Sequence, residues 1–273
     1  MFLTSALSSE RSLLIEESQM INMIQDPNII VIDVRDESLY KISHIKNAIN
    51  LPVSDTFSKG KRTDLVVPLS QIIKLFGDKG LTVDSRIVLY DGGFFIDAAR
   101  LFWIFETFGN ENVSILNIGF DHWSTNNSPV SSEERVLEAT IFIPVISPNR
   151  VSTYLRVRSI IDNDKHNLID VRPEPQFLGL ETITGVLGHI PTAINVPFTL
   201  NLDLESSKLK AKSELFHLYE GFDIETPVTV YCNKGKQSAL TYFTLRHLGY
   251  NVSAYDGSWF EWGSMPNLPK WKP

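Results

Sequence analysis

Among the 273 residues there is a single thiol, Cys232. It heads the segment Cys232-Asn233-Lys234-Gly235-Lys236-Gln237, directly after the apolar run Pro227 to Tyr231 and before a helical pattern that begins near Gln237. In an open α/β sheet, ligands bind beyond the carboxyl ends of the strands, where loops enter helices. Gly235 lets a short loop curl so that backbone N–H groups aim at negative charge near the sulfur. The positive end of the following helix and the ammonium groups of Lys234 and Lys236 add to the same potential. The pattern therefore predicts a reactive, electropositive cysteine, with Asn233, Gly235 and Gln237 completing an anion cradle. A lone cysteine at a strand end is otherwise an inert packing residue. Context has to decide between the two.

The elements around the loop supply that context, because the chain repeats. Val31-Ile32-Asp33-Val34-Arg35 matches Leu168-Ile169-Asp170-Val171-Arg172, and His44 to Pro52 matches His189 to Pro197 after eight additional residues in the second copy. Ile87 to Asp91 matches Val228 to Cys232, and Gly119 to Trp123 falls opposite Trp259 to Trp262. A nearly constant offset through four blocks is the mark of a duplicated domain. It also provides an internal control: where the second copy has Cys232, the first has Asp91, followed by two glycines and no lysine. Sheet packing alone would favour an apolar residue at both positions. The first copy reads as scaffold and the second as the seat of chemistry.

Short β-branched runs at 29–34, 86–90 and 113–118, with partners at 167–171, 227–231 and 252–255, predict strands buried on both faces. Helices are expected over 98–108 and 237–248, each closed by a glycine, Gly109 and Gly249. The predicted fold class is α/β, two tandem domains of one kind, each a mainly parallel sheet flanked by helices. The expected boundaries are 1–130 for the silent domain, 131–148 for a linker bearing Pro144 and Pro148, and 149–273 for the catalytic domain.

Composition narrows the function classes. Hydrophobic residues make up 43% and charged residues 21%, which describes a globular chain. The net charge of −7 disfavours a nucleic-acid partner, and no apolar run is long enough for a membrane span. One cysteine excludes an internal disulfide and a cysteine-based metal cage, and it suits a reducing compartment. Met1 to Met23 carries Glu10, Glu16 and Glu17 against Arg11 alone, so neither a secretory signal nor an Arg-rich transit peptide is expected. The chain is expected in the cytoplasm, with a mitochondrial location as the alternative.

The paired Asp-Val-Arg segments, Gly188-His189-Ile190-Pro191-Thr192-Ala193-Ile194-Asn195, the Tyr231-Cys232 loop and the closing Tyr255-Asp256-Gly257-Ser258-Trp259-Phe260-Glu261-Trp262 together resemble the tandem-domain rhodaneses. These comprise thiosulfate and 3-mercaptopyruvate sulfurtransferases, and the resemblance covers almost the whole chain. It implies a silent first domain and a second domain in which Cys232 takes sulfur from a donor, holds it as a persulfide and passes it to a thiophilic acceptor. The implied partners are a small anionic donor and an acceptor such as cyanide, a thiol or a thioredoxin-like protein; no cofactor, metal or oligomer is implied. Thiosulfate-preferring members tend to carry Cys-Arg-Lys-Gly, so Lys234 falls on the lysine associated with thiosulfate. Arg172 is the matching anion clamp or, alternatively, a structural ion pair. A further arginine common in the family is Gln176 here, which leaves carboxylate recognition open. Lys236 either binds substrate or faces solvent, Ser238 is expected to support the helix start, and Trp259 is a candidate pocket wall.

His189 and Asp170 recur as His44 and Asp33 in the silent copy, so structural roles are expected for all four. Arg100 is expected to bridge the domains. A cysteine phosphatase would need an arginine six positions after the cysteine to grip phosphate; that position holds Ser238. A binding or regulatory module without strong catalysis is the remaining alternative.

Overall fold

A computed structural model describes residues 12–59 and 64–273. The question of an address signal in the first eleven residues lies outside the described residues. In the first half, strands β1 (Leu14–Ile15), β2 (Ile29–Asp33), β3 (Ala48–Asn50), β4 (Arg86–Tyr90) and β5 (Val113–Leu116) form one sheet in the order β1-β5-β4-β2-β3. In the second half, β6 (Val151–Ser152), β7 (Asn167–Asp170), β8 (Ile194–Asn195), β9 (Val228–Tyr231) and β10 (Val252–Tyr255) form another, in the order β6-β10-β9-β7-β8. Every pairing within these two sheets is parallel, and the two orders correspond strand for strand. The fold is thus a duplicated α/β unit, as the repeat requires. The central strands are buried on both faces, which is why they read as continuous apolar runs.

Four further elements position the site: α1 (Ile96–Thr107), α2 (Glu174–Phe177), α3 (Lys236–Leu248) and α4 (Ser258–Ser264). Helices α1 and α3 each lie between their own sheet and one another. They are buried on most faces, rather than along one stripe. Phe102 meets Phe243 edge-on at 4.9 Å, and one continuous apolar core joins both domains through this contact. Ion pairs form near both ends, Lys236 with Asp97 and Arg246 with Glu106. The helices therefore run in the same direction, with their positive amino-terminal ends side by side.

Glu106 is 3% exposed, so its charge needs full compensation. Tyr242 Oη donates to Oε2 at 2.6 Å and Arg246 grips both oxygens, Nε at 3.0 Å and Nη2 at 2.9 Å. The segment 131–148 runs along the first domain: Thr140 and Val145 donate backbone N–H groups to Gly77 and Phe108, and Phe142 packs edge-on against Phe76.

Candidate active site

Strand β9 ends at Tyr231 and α3 starts at Lys236, so Cys232 to Gly235 form the whole connection at the strand's carboxyl end. Gly235 has φ +86°, a left-handed conformation that turns its N–H back onto Cys232 Sγ at 3.1 Å. The same residue faces the neighbouring backbone so closely that an added Cβ would lie 2.5 Å from Asp256 Oδ1 and 2.7 Å from the Asp256 carbonyl oxygen. Cys232 is 1% exposed. Among the described residues, Gly235 supplies the one backbone N–H bonded to the sulfur, where the sequence reading called for several.

The closing turn forms the other wall. Ser258 Oγ lies 3.9 Å from the sulfur, accepts the Cys232 N–H at 3.2 Å and donates to Tyr255 O at 2.8 Å. The N–H groups of Trp259 and Phe260 donate to the carbonyls of Cys232 and Asn233. Thus α4 begins docked on the cysteine loop and fixes its first two peptides. The Trp259 indole is fully buried, donates to Val186 O at 2.9 Å and stacks on the Arg172 guanidinium at 5.0 Å. Trp262 donates to Pro269 O and packs in the core.

Arg172 is held tightly. Its Nε and Nη2 form a bidentate pair with Asp170, at 2.9 and 2.6 Å, and Nη2 also reaches Gly188 O. Burial works against the Arg172 charge, but the Asp170 carboxylate outweighs it and raises the pKa. Arg35 repeats the same grip on Asp33 and Ser43 O in the copy without a thiol. An ion pair common to both copies is a structural feature, and it takes up the Nε and Nη2 groups of Arg172. His44 and His189 likewise play one part twice, with Nδ1 bonded at 2.7 Å to Tyr40 O and Phe177 O and each ring stacked on the same aromatic residue. Burial pushes the His189 pKa down.

The remaining loop residues have partners from outside the loop. Asn233 Nδ2 donates to Gln176 Oε1 at 2.8 Å, so Gln176 on α2 braces the loop. Ser238 Oγ bonds to Gly235 O at the helix start. Gln237 Oε1 is buried without a hydrogen bond in the described structure. Lys234 Nζ pairs with Asp64 at 3.1 Å and lies over the Phe260 ring, while Lys236 Nζ pairs with Asp97 at 2.5 Å. Arg100, fully buried, donates Nη1 to Gly235 O at 3.1 Å and Nη2 to Asp64 O, and pairs with Asp256 at 2.6 Å. Sequence reasoning missed Asp64, Asp97, Asp256 and Ser258. The first two lie in the other domain, and nothing in local spacing points from them to Cys232.

A shallow cleft bounded by Asp64, Leu65, Lys234, Asp256, Gly257 and Phe260 opens beside the loop, at the domain junction. A larger cavity, about 540 Å³, lies elsewhere, against the first domain and lined by residues such as Asp36, Tyr40, Asp55 and Arg135. No thiol lines it, so size alone does not mark the chemistry here.

In the first domain Asp91 takes the place of the thiol and accepts backbone N–H groups from Gly93, Asp97 and Ala98. Burial nevertheless pushes its carboxyl up to about 7 from an ordinary value of 3.8. A carboxyl raised in the folded state favours folding while protonated, so this contribution is complete below pH ~4 and is lost as the pH rises through about 7. Wild-type thermal stability should therefore fall between pH ~5 and ~8 more steeply than that of Asp91→Asn. Melting curves across that range check it, and parallel profiles would contradict it.

Two domains of one design, with a thiol at one strand end and a carboxylate at its counterpart, define a duplicated α/β protein with a cysteine loop in its second copy. A family model described as the rhodanese-like domain matches residues 16–126 and again 154–265. A provisionally named thiosulfate sulfurtransferase of Mycobacterium leprae is 32% identical over 90% of this chain and 92% of its own. The thiosulfate sulfurtransferase of Gallus gallus is 31% identical over 84% of this chain and 81% of its own. Among solved structures, SseA of Escherichia coli, a 3-mercaptopyruvate sulfotransferase, superposes with a TM-score of 0.81 at 25% identity, covering 91% of this chain and 99% of its own. The chain belongs to the rhodanese-like family, within the tandem-domain sulfurtransferases that these relatives represent. Among the described residues, no helix is long and apolar enough to cross a membrane.

Proposed function

We propose that the protein transfers a sulfane sulfur from a small anionic donor, thiosulfate in preference to 3-mercaptopyruvate, to a thiophilic acceptor through a persulfide on Cys232. The observation that carries this reading is the sulfur itself, held at the carboxyl end of β9 with the Gly235 N–H aimed at it from 3.1 Å. With thiosulfate, the Cys232 thiolate attacks the outer sulfur, the S–S bond of the donor breaks, and sulfite leaves with the electron pair. The enzyme now carries a persulfide anion, which the Gly235 N–H stabilises. Cyanide or a thiolate then attacks the outer sulfur, and the Cys232 thiolate is released. Dividing the transfer in this way gives ping-pong kinetics. A thioredoxin-like protein is the macromolecular acceptor this chemistry suits, and a monomer in the cytoplasm fits the single thiol.

Lys234 is the donor's first electrostatic contact, because it lines the cleft beside the loop and its side chain is 40% exposed. Arg172 contributes through Nη1 and Trp259, and Asn233, Gly235, Lys236 and Gln237 shape the cradle. Initial rates with thiosulfate and cyanide, and with mercaptopyruvate and a thiol, test the reading. Lys234→Ala should lower kcat/KM for thiosulfate by about tenfold, the scale of one charge-assisted hydrogen bond, and for mercaptopyruvate by much less. Equal losses for the two donors would refute the thiosulfate preference.

A further inference from the structure

We propose that Asp97, a residue of the thiol-less domain, sets how strongly the cysteine loop discriminates between doubly and singly charged donors, by neutralising the Lys236 ammonium. The proposal rests on sulfur transfer at Cys232 and gives the first domain a part in donor selection. Lys236 is the first residue of α3, next to the glycine whose N–H holds the sulfur, and Asp97 stands in the first turn of the adjacent, co-directional α1. The two side chains are 45% and 34% exposed, with the paired Asp97 Oδ1 itself buried, so the Lys236 side of the 2.5 Å pair is the side open to an arriving anion. Arg100, by contrast, is fully buried and committed to Asp256 and Gly235 O. The amino-terminal ends of the two parallel helices lie side by side beside the loop, and a carboxylate there offsets their joint potential.

The potential that Asp97 subtracts acts on a donor in proportion to the donor's charge. Thiosulfate, a dianion, therefore loses twice as much binding free energy as the mercaptopyruvate monoanion. Asp97→Asn should lower KM for thiosulfate about fivefold and for mercaptopyruvate about twofold, with kcat nearly unchanged and both effects shrinking at high salt. Asp97→Glu, which keeps the charge, should retain the wild-type ratio of KM values. Lys236→Gln should give the mirror image, with KM for thiosulfate raised the more, so one unfolded variant does not block the test.

The measurement is kcat and KM for both donors in wild type and the three variants, at low and high salt, with the Cys232 persulfide followed by mass in parallel. A purely structural Asp97 would change both donors alike and without salt dependence, and that result overturns the proposal. A wild type that forms a persulfide while Asp97→Asn leaves the KM ratio unchanged overturns this inference alone. A wild type that forms no persulfide with either donor overturns the parent reading together with it.

Discussion

Cys232→Ser is expected to reduce sulfur transfer by about 10³-fold or more with either donor, because the hydroxyl cannot hold sulfane sulfur and the covalent intermediate disappears. The fold should survive. The side chain is nearly enclosed, 1% exposed, and serine is slightly smaller, so the Gly235 N–H keeps an acceptor and the cavity created is small. Steady-state rates with thiosulfate and cyanide, together with a melting curve, separate the two effects. Substantial activity in a folded Cys232→Ser protein would mean that transfer takes place at another group, and the chain has no second thiol.

The second large effect is expected at Gly235, and it acts through geometry instead of chemistry. Alanine there has to adopt φ +86° and bring Cβ to 2.5 Å from Asp256 Oδ1, which is also the oxygen paired with Arg100. Left-handed backbone costs about 1–2 kcal/mol for a residue with a side chain, and the displaced acid adds to it. Gly235→Ala should lose about 2–4 kcal/mol of stability and about 10²-fold in kcat, since the N–H that meets the sulfur moves with the loop. Gly185 provides the control: its φ is +82°, yet nothing lies within 4 Å of the added Cβ. Gly185→Ala should show the backbone cost of about 1 kcal/mol with unchanged kcat. Similar kinetic losses in both variants would contradict the account of the loop.

The architecture was largely legible because the duplication repeats strand ends and turns, and Asp-Val-Arg occurs twice at the carboxyl end of the same strand. The central strands and the two interface helices appear within two residues of the expected bounds. The edge strands β1, β6 and β8 have two residues each, too short to carry a period, and depend on a neighbour for their hydrogen bonds. At the site, Cys232 and Gly235 could be read locally, since a thiol, a strand end and a glycine are all sequence features. The charge balance could not. Lys234 and Lys236 looked like a bare basic patch, but Asp64 and Asp97 meet them from the other domain, and such pairings arise only from packing α1 on α3. For Arg172, only the three-dimensional match with Arg35 exposes how much of the guanidinium is spent on structure.

The most direct test is the intact mass of the reduced wild-type protein after incubation with thiosulfate and no acceptor. The account predicts a gain of about 32 Da, one sulfur atom, located on the Cys232 peptide, removed by cyanide with release of thiocyanate and absent from Cys232→Ser. An unchanged mass with both thiosulfate and mercaptopyruvate, or an added sulfur located away from Cys232, would contradict it.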